Sequence, residues 1–444
     1  MITKQIEAPL FDTMQNRYDM LRLNQKDSLS NYRATAMEAF SRLGFPSVKN
    51  EEWRFTNVLP IVKSEYDLNS NIDALNAENI QKATEIINKH FSSQYEKKIY
   101  KVVSINGVFS AALSDLPEQE GFTFSPIIKA QDNKVFQEHF GKILNIEDNP
   151  FAALNSAMFQ DGAFIALEKN VVVDAPIHFI KIILTEGRSL IQKRDLFVLD
   201  KFSEMDVIES FICEGSGDIF LNAASEVVLG ENATFHHYDI QKSDERLHII
   251  QRIEAKQLKH SNYSNYTFTL PGAKFVRNNL SLYMDDVEIE SHLYGLYISA
   301  NEQLIDNHTE VHHKFARGES NQLYKGIMMD KSKAVFNGKI YVYQDAQKTN
   351  AFQQSSNILF SEQAVVNAKP QLEIFADDVK CSHGTTIGQL DQNAMFYLRS
   401  RGIGEAKAKE IMVKAFAFDV VEKIQIPELK KYIGKMIADE MEER

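Results

Sequence analysis

Residues 377–402 read DDVKCSHGTTIGQLDQNAMFYLRSRG, and this stretch marks the point where strand-like sequence gives way to helix. The apolar run Leu372-Glu373-Ile374-Phe375 precedes it, and Lys380 to Thr385 continues in the same strand-like manner. Asp391 can cap the start of a helix that ends at Gly402, because a short acidic side chain accepts free N–H groups and glycine favours a C-terminal cap. The stretch therefore predicts a strand followed by a helix.

On the N-terminal side, short apolar and β-branched runs alternate with polar turns from Phe164 to about Thr386. Val171-Val172-Val173 and Ile340-Tyr341-Val342-Tyr343 are examples, and helical periodicity is weak throughout. Many consecutive short strands are typical of a barrel, a sandwich or a β-solenoid. The turns are irregularly spaced, so the pattern establishes no repeat period and does not choose among the three.

Helical sequence flanks the strand-rich region on both sides. A helix is predicted from Asp27 to Leu43, ended by Gly44 and Pro46, and another from Ala77 to Phe91. Near the C-terminus, helices are predicted over about 405–421 and from Pro427 onward. Three regions follow: a helix-rich, mixed domain over 1–155, a β core over 156–390 and a helical region over 391–444.

The composition excludes several classes of protein. The chain has 444 residues and a formal net charge of −12, which counts against a nucleic-acid binder, because phosphate contacts need a basic surface. No apolar run is long enough for a transmembrane helix, and the N-terminus resembles no secretory signal. We therefore expect a cytoplasmic protein.

The cysteine content limits the metal chemistry. Cys213 and Cys381 are the two cysteines, which suits a reducing compartment and gives no disulfide framework. An iron–sulfur cluster ordinarily takes about four thiolate ligands, so this chain cannot hold one with its own cysteines. The sequence also lacks a G-x-x-x-x-G-K-[ST] phosphate loop, so any ATP hydrolysis is expected in a partner.

The block at 377–402 resembles the C-terminal signature of the SufB/SufD family of iron–sulfur cluster assembly proteins. That signature runs from an acidic pair through Cys-Ser-His-Gly and Gly-x-Leu to Phe-Tyr-Leu-x-Ser-Arg-Gly-Ile, and each element stands in this sequence. Pro46 and Lys49-Asn50-Glu51-Glu52-Trp53-Arg54 resemble the family's N-terminal segment. The family contains SufB and a paralogue of SufB that is poor in cysteine. Three features of this chain favour the paralogue: its length, its scarcity of cysteine and its lack of the cysteine cluster typical of SufB's N-terminal half.

The resemblance implies a mainly β fold: a right-handed parallel β-helix core flanked by an N-terminal helical (mixed) region and a C-terminal helical region. It further implies a non-catalytic scaffold that pairs with SufB through the β-helices and docks the ATPase SufC on its C-terminal helices. By the same resemblance, Cys381 and His383 lie at the interface with SufB as candidate ligands for iron or a transient Fe–S cluster. No cofactor is expected in the chain alone.

The chemistry of Cys381 and His383 is compatible with that role. Residues i and i+2 of a strand point to the same face, with Cα atoms about 6.5–7 Å apart. A thiolate and a neutral imidazole both suit iron. One of each leaves the coordination incomplete, so the remaining ligands would come from a partner, solvent or sulfide. The alternative is a structural role for both residues, with Cys381 as a buried apolar side chain and His383 simply hydrogen-bonded.

Other cysteine and histidine positions are weaker candidates. Cys213 is interpreted as core packing. His308, Glu310 and His312 would share one strand face. That face is either a metal site or a row of polar side chains exposed to solvent. His236 and His237 are adjacent and would point to opposite faces.

Two different functions compete with the scaffold hypothesis. Gly402-Ile403-Gly404 between two helices, with Arg399, Arg401, Lys407 and Lys409 nearby, resembles a DNA-binding helix-hairpin-helix; a tight helix–helix turn is the structural alternative. A carbohydrate-active β-solenoid enzyme would need paired carboxylates in a groove, but the adjacent Asp377 and Asp378 would point apart on a strand.

Overall fold

The computed structural model describes residues 9–24, 27–68, 71–91 and 97–442. Over these residues the chain is mainly β, with a parallel β-solenoid of about eight turns and helices on both the N-terminal and the C-terminal side. The predicted parallel β-helix between helical regions is therefore confirmed. The predicted N-terminal region begins at residue 1 and the predicted C-terminal region ends at residue 444, and both positions lie outside the described residues. The boundaries near 155 and 390 stay predictions.

The N-terminal part combines short helices with three short strands. The predicted helix before Gly44 is confirmed as Ser30–Leu43, and the Gly44 N–H donates to the Phe40 carbonyl to close the last turn. The elements of this part are α1 (Pro9–Asn24), α2 (Ser30–Leu43), α3 (Leu59–Val62), α4 (Ala77–Phe91), β1 (Tyr100–Ile105), β2 (Val108–Phe109), β3 (Phe122–Pro126), α5 (Lys134–His139) and α6 (Pro150–Met158).

The solenoid is built from strands that alternate between two sheets. From β4 onward each strand pairs in parallel with the strand two places along the chain, so odd-numbered strands form one sheet and even-numbered strands the other. The strands are β4 (Ala163–Leu167), β5 (Ile177–Thr185), β6 (Ser189–Leu199), β7 (Glu204–Gly215), β8 (Ile219–Leu229), β9 (Thr234–Gln241), β10 (Leu247–Gln257), β11 (Asn262–Thr269), β12 (Phe275–Met284), β13 (Glu290–Ser299), β14 (Leu304–His313), β15 (Glu319–Met328), β16 (Lys333–Val342), β17 (Asn350–Leu359), β18 (Val365–Ile374) and β19 (Lys380–Gln389).

The coils differ slightly in length, which explains why no repeat was visible in the sequence. Asn278 donates a hydrogen bond to Asn307 one coil later, 29 residues along the chain. Asn350 donates to Glu319 of the preceding coil, 31 residues away. Because turns gain or lose a residue from one coil to the next, neighbouring strands stay in register while the sequence spacing changes.

The solenoid interior is mostly apolar but also contains paired charges. Phe197, Phe235 and Phe336 belong to one buried cluster that runs along the inside. In the first coils, Lys193 lies 2.5 Å from Asp195, and His237 Nε2 lies 2.7 Å from Glu209. Each of these two buried carboxylates has a basic partner, which offsets the cost of burying its charge.

A buried ion pair joins the N-terminal part to the outer face of the even-numbered sheet. Arg194 Nη2 donates to Glu226 at 2.5 Å, and neither side chain is exposed. The Glu226 carboxylate also accepts hydrogen bonds from the backbone N–H groups of Gly141, Ile143 and Leu144. Its carboxylate therefore holds the loop before α6 against the solenoid.

The C-terminal helices are α7 (Gln392–Ser400), α8 (Glu405–Val421) and α9 (Pro427–Glu442). The predicted cap is confirmed, since the Asp391 carboxylate accepts the N–H groups of the first turn of α7. The outer face of the odd-numbered sheet supports the link between α8 and α9. There the Tyr266 hydroxyl donates to the Lys423 carbonyl at 2.9 Å, and the Gln425 N–H donates to the Tyr238 hydroxyl at 3.3 Å.

Candidate functional site

The last coil of the solenoid is open on its outward side. β18 and β19 pair with β16 and β17, and among the described residues no further strand covers their other edges. The strands of the inner coils are largely buried, whereas almost every residue of β19 is exposed. The last coil therefore exposes the end of the apolar interior. It also exposes a row of backbone N–H and C=O groups, as any uncovered strand edge does.

Cys381 lies at this open end and covers the end of the interior. It is opposite Ala351 of β17, which is fully buried, and it packs as a half-buried side chain against the interior cluster. Burial raises the pKa of the Cys381 thiol, and a hydrogen bond involving the Ala351 backbone opposes the shift. In the isolated chain the group is thus a thiol at neutral pH.

His383 is two residues further along β19 and is exposed. It lies opposite Gln353, which is 3% exposed. Because Ala351 and Gln353 both point into the solenoid, the strand register places Cys381 and His383 on the same, inward face of the open coil. The predicted common face of the two residues agrees with this register, while their role as ligands stays a prediction.

Polar groups with unused hydrogen-bonding capacity lie beneath His383. Gln353 donates to Gln322 at 3.1 Å, but Gln353 Oε1 and Gln322 Nε2 are buried without a partner. An open depression of about 720 Å³ beside them is lined by His383 and Thr385 as well. The end of the solenoid therefore has a polar recess with the His383 imidazole at its rim, and the Cys381 thiol lies two residues away on the same strand face.

This site is incomplete as a metal centre. Within the described part of the chain, no three histidine, cysteine or acidic side chains come together in a way that could hold an ion. The inward face of β19 supplies one sulfur and one ring nitrogen, and a cluster or iron ion needs further ligands from elsewhere.

The candidate metal face on β14 is occupied by other interactions. His308 lies 3.3 Å from Glu52 and 2.9 Å from Asp306, and Lys339 lies 3.5 Å from Glu310. His312 stacks between Tyr283 and Tyr341, with ring centroids 5.0 and 4.7 Å away. The metal hypothesis for His308, Glu310 and His312 is thus wrong, because distant residues engage two of these side chains in ion pairs and aromatic rings enclose the third.

The remaining cysteine and histidine predictions hold. Cys213 packs half-buried against an apolar cluster, and burial raises its thiol pKa to about 12. His236 and His237 do point to opposite faces: His236 lies 2.8 Å from Asp206, and His237 reaches Glu209 inside the solenoid.

The Gly402 turn is a tight helix–helix connection. Gly402 adopts φ +85°, a conformation that favours glycine. Neighbouring carboxylates neutralise the nearby cations, since Lys409 pairs with Glu405 at 3.0 Å and Lys407 with Glu410 at 2.7 Å. These pairs remove much of the positive charge that a DNA-binding hairpin would need.

Asp377 and Asp378 lie in the turn between β18 and β19 rather than on a strand. Asp378 forms an ion pair with Lys348 of the preceding coil. This ion pair links the last two coils, and it engages one of the two carboxylates that a glycosidase would need for catalysis.

Exposed aromatic residues form a feature that sequence reasoning missed. Phe396 and Tyr397 of α7 and Phe418 of α8 are 74%, 58% and 56% exposed. In the sequence they look like the apolar face of amphipathic helices, and only the packed structure shows that other residues fill that role. Large exposed aromatic side chains are typical of binding surfaces.

The comparisons agree with this architecture. Residues 182–416 match the family pattern described as "SUF system FeS cluster assembly, SufBD core domain", and residues 4–179 match "SufBD protein N-terminal region". The chain belongs to the SufBD family. SufBD membership thus extends over the N-terminal part and most of the solenoid.

Several curated SufBD relatives match over nearly their whole length. An iron–sulfur cluster assembly SufBD family protein of Synechocystis is 31% identical, covering 92% of this chain and 90% of that protein. Iron–sulfur cluster assembly protein SufD of Escherichia coli is 27% identical, covering 91% of each chain. SufD of Bacillus subtilis is 26% identical, covering 92% of this chain and 93% of that protein.

The described helices include none that is both long and apolar enough to cross a bilayer. The cytoplasmic location stays a prediction.

Proposed function

We propose that this SufBD protein is the SufD-type scaffold subunit of a SUF complex, which pairs with SufB and docks SufC to support cluster formation at the shared interface. The observation that carries the proposal is the open last coil with Cys381 and His383 at its rim. The full-length similarity to SufD proteins of two bacteria supports the choice of subunit.

The open end is suited to a partner with the same kind of end. No strand in the described part of the chain pairs with the outer edge of β19, so a strand of another chain can bind its backbone groups by extending the sheet. Ile387 on β19 and Phe375 just after β18 are 50% and 61% exposed, so a partner would also bury apolar surface. A SufB protein would bring a related solenoid and, by the family resemblance, the cysteines that this chain lacks.

The partner would complete the coordination begun by Cys381 and His383. Metal ligation requires a deprotonated cysteine, whereas burial keeps the Cys381 thiol protonated in the free chain. Iron held by ligands of both subunits would displace this proton. The iron–sulfur cluster is the product of the assembly and is not a resident cofactor of this chain.

The C-terminal helices would receive the ATPase. α8 and α9 bury Val413, Ala417 and Ile433 against the solenoid and against each other, which leaves Phe418 exposed. Movement in SufC during ATP hydrolysis would then reach the odd-numbered sheet through Lys325, whose ammonium donates to Asp419 of α8 at 2.5 Å. This chain would contribute no catalytic step of its own.

Co-purification with SufB and SufC tests the pairing directly. Ile387→Asp should abolish retention of SufB, because it places a charge in the proposed interface. Val172→Asp is the matched control, since Val172 is 49% exposed but lies at the other end of the solenoid. Phe418→Asp should release SufC and leave SufB bound. Normal SufB binding by the Ile387 variant, or a wild-type chain that stays monomeric with both partners present, would contradict the proposal.

A further inference from the structure

A second cavity lies far from the open coil, where the N-terminal helices meet the first turns of the solenoid. Its volume is about 440 Å³, within the usual range for small-molecule sites. Met14 of α1, Met158 at the end of α6 and Leu190 of β6 form apolar walls, each at most 5% exposed. The cavity is thus large enough for a small organic molecule and mostly apolar.

Two arginines line the same cavity without a carboxylate partner. Arg33 Nη1 donates to the carbonyl groups of Ala157 and Phe159 at 3.3 and 3.0 Å, and its guanidinium lies 3.9 Å from the Phe159 ring centroid. Arg33 Nε is buried with no partner. Arg17 of α1 forms no hydrogen bond or ion pair with the residues that the structure describes.

One carboxylate, Asp27, lines the same cavity and offsets the charge of the two arginines only in part. Burial lowers the pKa of Arg33, and the charge of Asp27 partly opposes the shift. The Asp27 carboxylate instead accepts hydrogen bonds from the Leu29 N–H at 3.1 Å and from Gln131 Nε2 at 3.2 Å. Two guanidinium groups and one carboxylate leave the cavity with an excess of positive charge, which a bound anion would balance.

Two glutamines add fixed polar groups to the cavity wall. Gln160 Nε2 donates to the Leu68 carbonyl at 3.2 Å, and Gln192 Oε1 accepts from Asn222 at 2.8 Å. Each side chain is held at one end and leaves its other end, Gln160 Oε1 and Gln192 Nε2, without a partner. Polar groups held in this way are typical of small-molecule sites, where they fix orientation.

We propose that this cavity binds a small organic oxyanion, with a carboxylate or phosphate head on Arg17 and Arg33 and a short apolar body against Met14, Met158 and Leu190. Arginine suits this head group because its planar donors match two oxygens at once. The site is separate from the open coil, so it does not depend on SufB or SufC.

Calorimetric titration of the full chain tests the site. Hexanoate and hexyl phosphate should both bind saturably and raise the thermal unfolding midpoint, whereas hexylamine, of the same length and opposite charge, should not. Inorganic phosphate should bind more weakly than hexyl phosphate, because it lacks the apolar body. A preference between hexanoate and hexyl phosphate identifies the head group.

Arginine variants show whether binding occurs in this cavity. Arg17→Gln should weaken hexanoate binding roughly tenfold or more, since a charge-assisted pair is lost, and Arg17→Lys should restore only part of the affinity, because it keeps the charge but not the two parallel donors. Arg42→Gln is the control, because Arg42 is an exposed arginine of α2 that pairs with Glu147. No saturable binding by either six-carbon anion, equal binding of hexylamine, or unchanged affinity in the Arg17→Gln variant would each overturn the proposal.

Discussion

Cys381 and His383 show how far strand spacing can be interpreted at the level of single residues. Their two-residue separation predicted a shared face, and β19 places both on the inward face of the last coil. The same spacing brought His308, Glu310 and His312 to one face without producing a metal site. The difference lies in the neighbours of His308, which contacts Asp306 of its own strand and Glu52 from a distant part of the chain.

Replacing Cys381 or His383 with alanine should lower cluster yield while the complex with SufB and SufC stays intact. Each change removes one proposed ligand from an exposed or half-buried position, so little packing is lost. The measurement is iron and acid-labile sulfide per purified complex. Ser382→Ala is the control, because Ser382 lies on the opposite face of the same strand. Full cluster loading of both alanine variants would contradict a ligand role.

The buried His313 should make the protein less stable in mild acid. Burial lowers the pKa of His313 to about 3, whereas histidine in an unfolded chain titrates near pH 6.5. Between these values the unfolded state binds more protons, so the free energy of unfolding falls as the pH falls. The loss for this one residue between pH 7 and pH 5 is about 2 kcal/mol.

His313→Asn should therefore reduce the difference in stability between pH 7 and pH 5 by that amount, as measured by urea unfolding. His178 is a second test, since burial also lowers its pKa to about 3. If both asparagine variants keep the wild-type pH dependence, neither histidine is held neutral in the folded state.

At the level of elements, residues 51–56 attach the N-terminal part to several coils at once. Arg277 of β12 lies 3.7 Å from the Trp53 ring centroid and donates to the Glu52 carbonyl at 2.8 Å. The Glu52 carboxylate lies 2.6 Å from Lys339 of β16, and Thr56 donates to Asp306 of β14. This segment therefore bridges three successive strands of the even-numbered sheet.

Glu52→Gln should destabilise the protein by about 1–3 kcal/mol, because it leaves the half-buried Lys339 and His308 without their shared anion. Glu51→Gln is the matched control: Glu51 pairs with Lys369 at 2.8 Å, but its side chain is 77% exposed, so water screens the pair and the effect of its loss should be clearly smaller. Urea unfolding followed by the fluorescence of Trp53, the single tryptophan, measures both. Equal effects of the two variants would contradict the role of Glu52 as the anion shared by Lys339 and His308.

Helix boundaries were largely predictable, whereas this attachment was not. Gly44, Asp391 and Gly402 act on neighbouring backbone groups, so their effect can be inferred from a few adjacent residues. Glu52 and Lys339 are 287 residues apart, and nothing local links them.

Across the whole molecule, each coil of the solenoid is stabilised mainly by the coils beside it. The inner coils are covered on both sides, and the last coil is covered on one. Stability should therefore decrease towards β18 and β19, where few side chains are buried.

Hydrogen exchange should reveal this gradient. In the free chain, amides of β19 should exchange much faster than those of β10, which lies between β8 and β12. Addition of SufB should slow exchange in β18 and β19 and leave β8 and β10 unchanged. Equal protection of β19 and β10 in the free chain would mean that the open end is already covered.

By itself, the sequence determined the helices near both ends, the strand-rich region between them and, through the block at 377–402, the resemblance that implied a parallel β-helix. These features depend on local interactions or on residues close together in the chain. Only the tertiary structure decided which face of the last coil stays open, which partners occupy His308, and how coils of unequal length remain in register. Those outcomes depend on contacts between residues about 30 or nearly 300 positions apart, which no local pattern specifies.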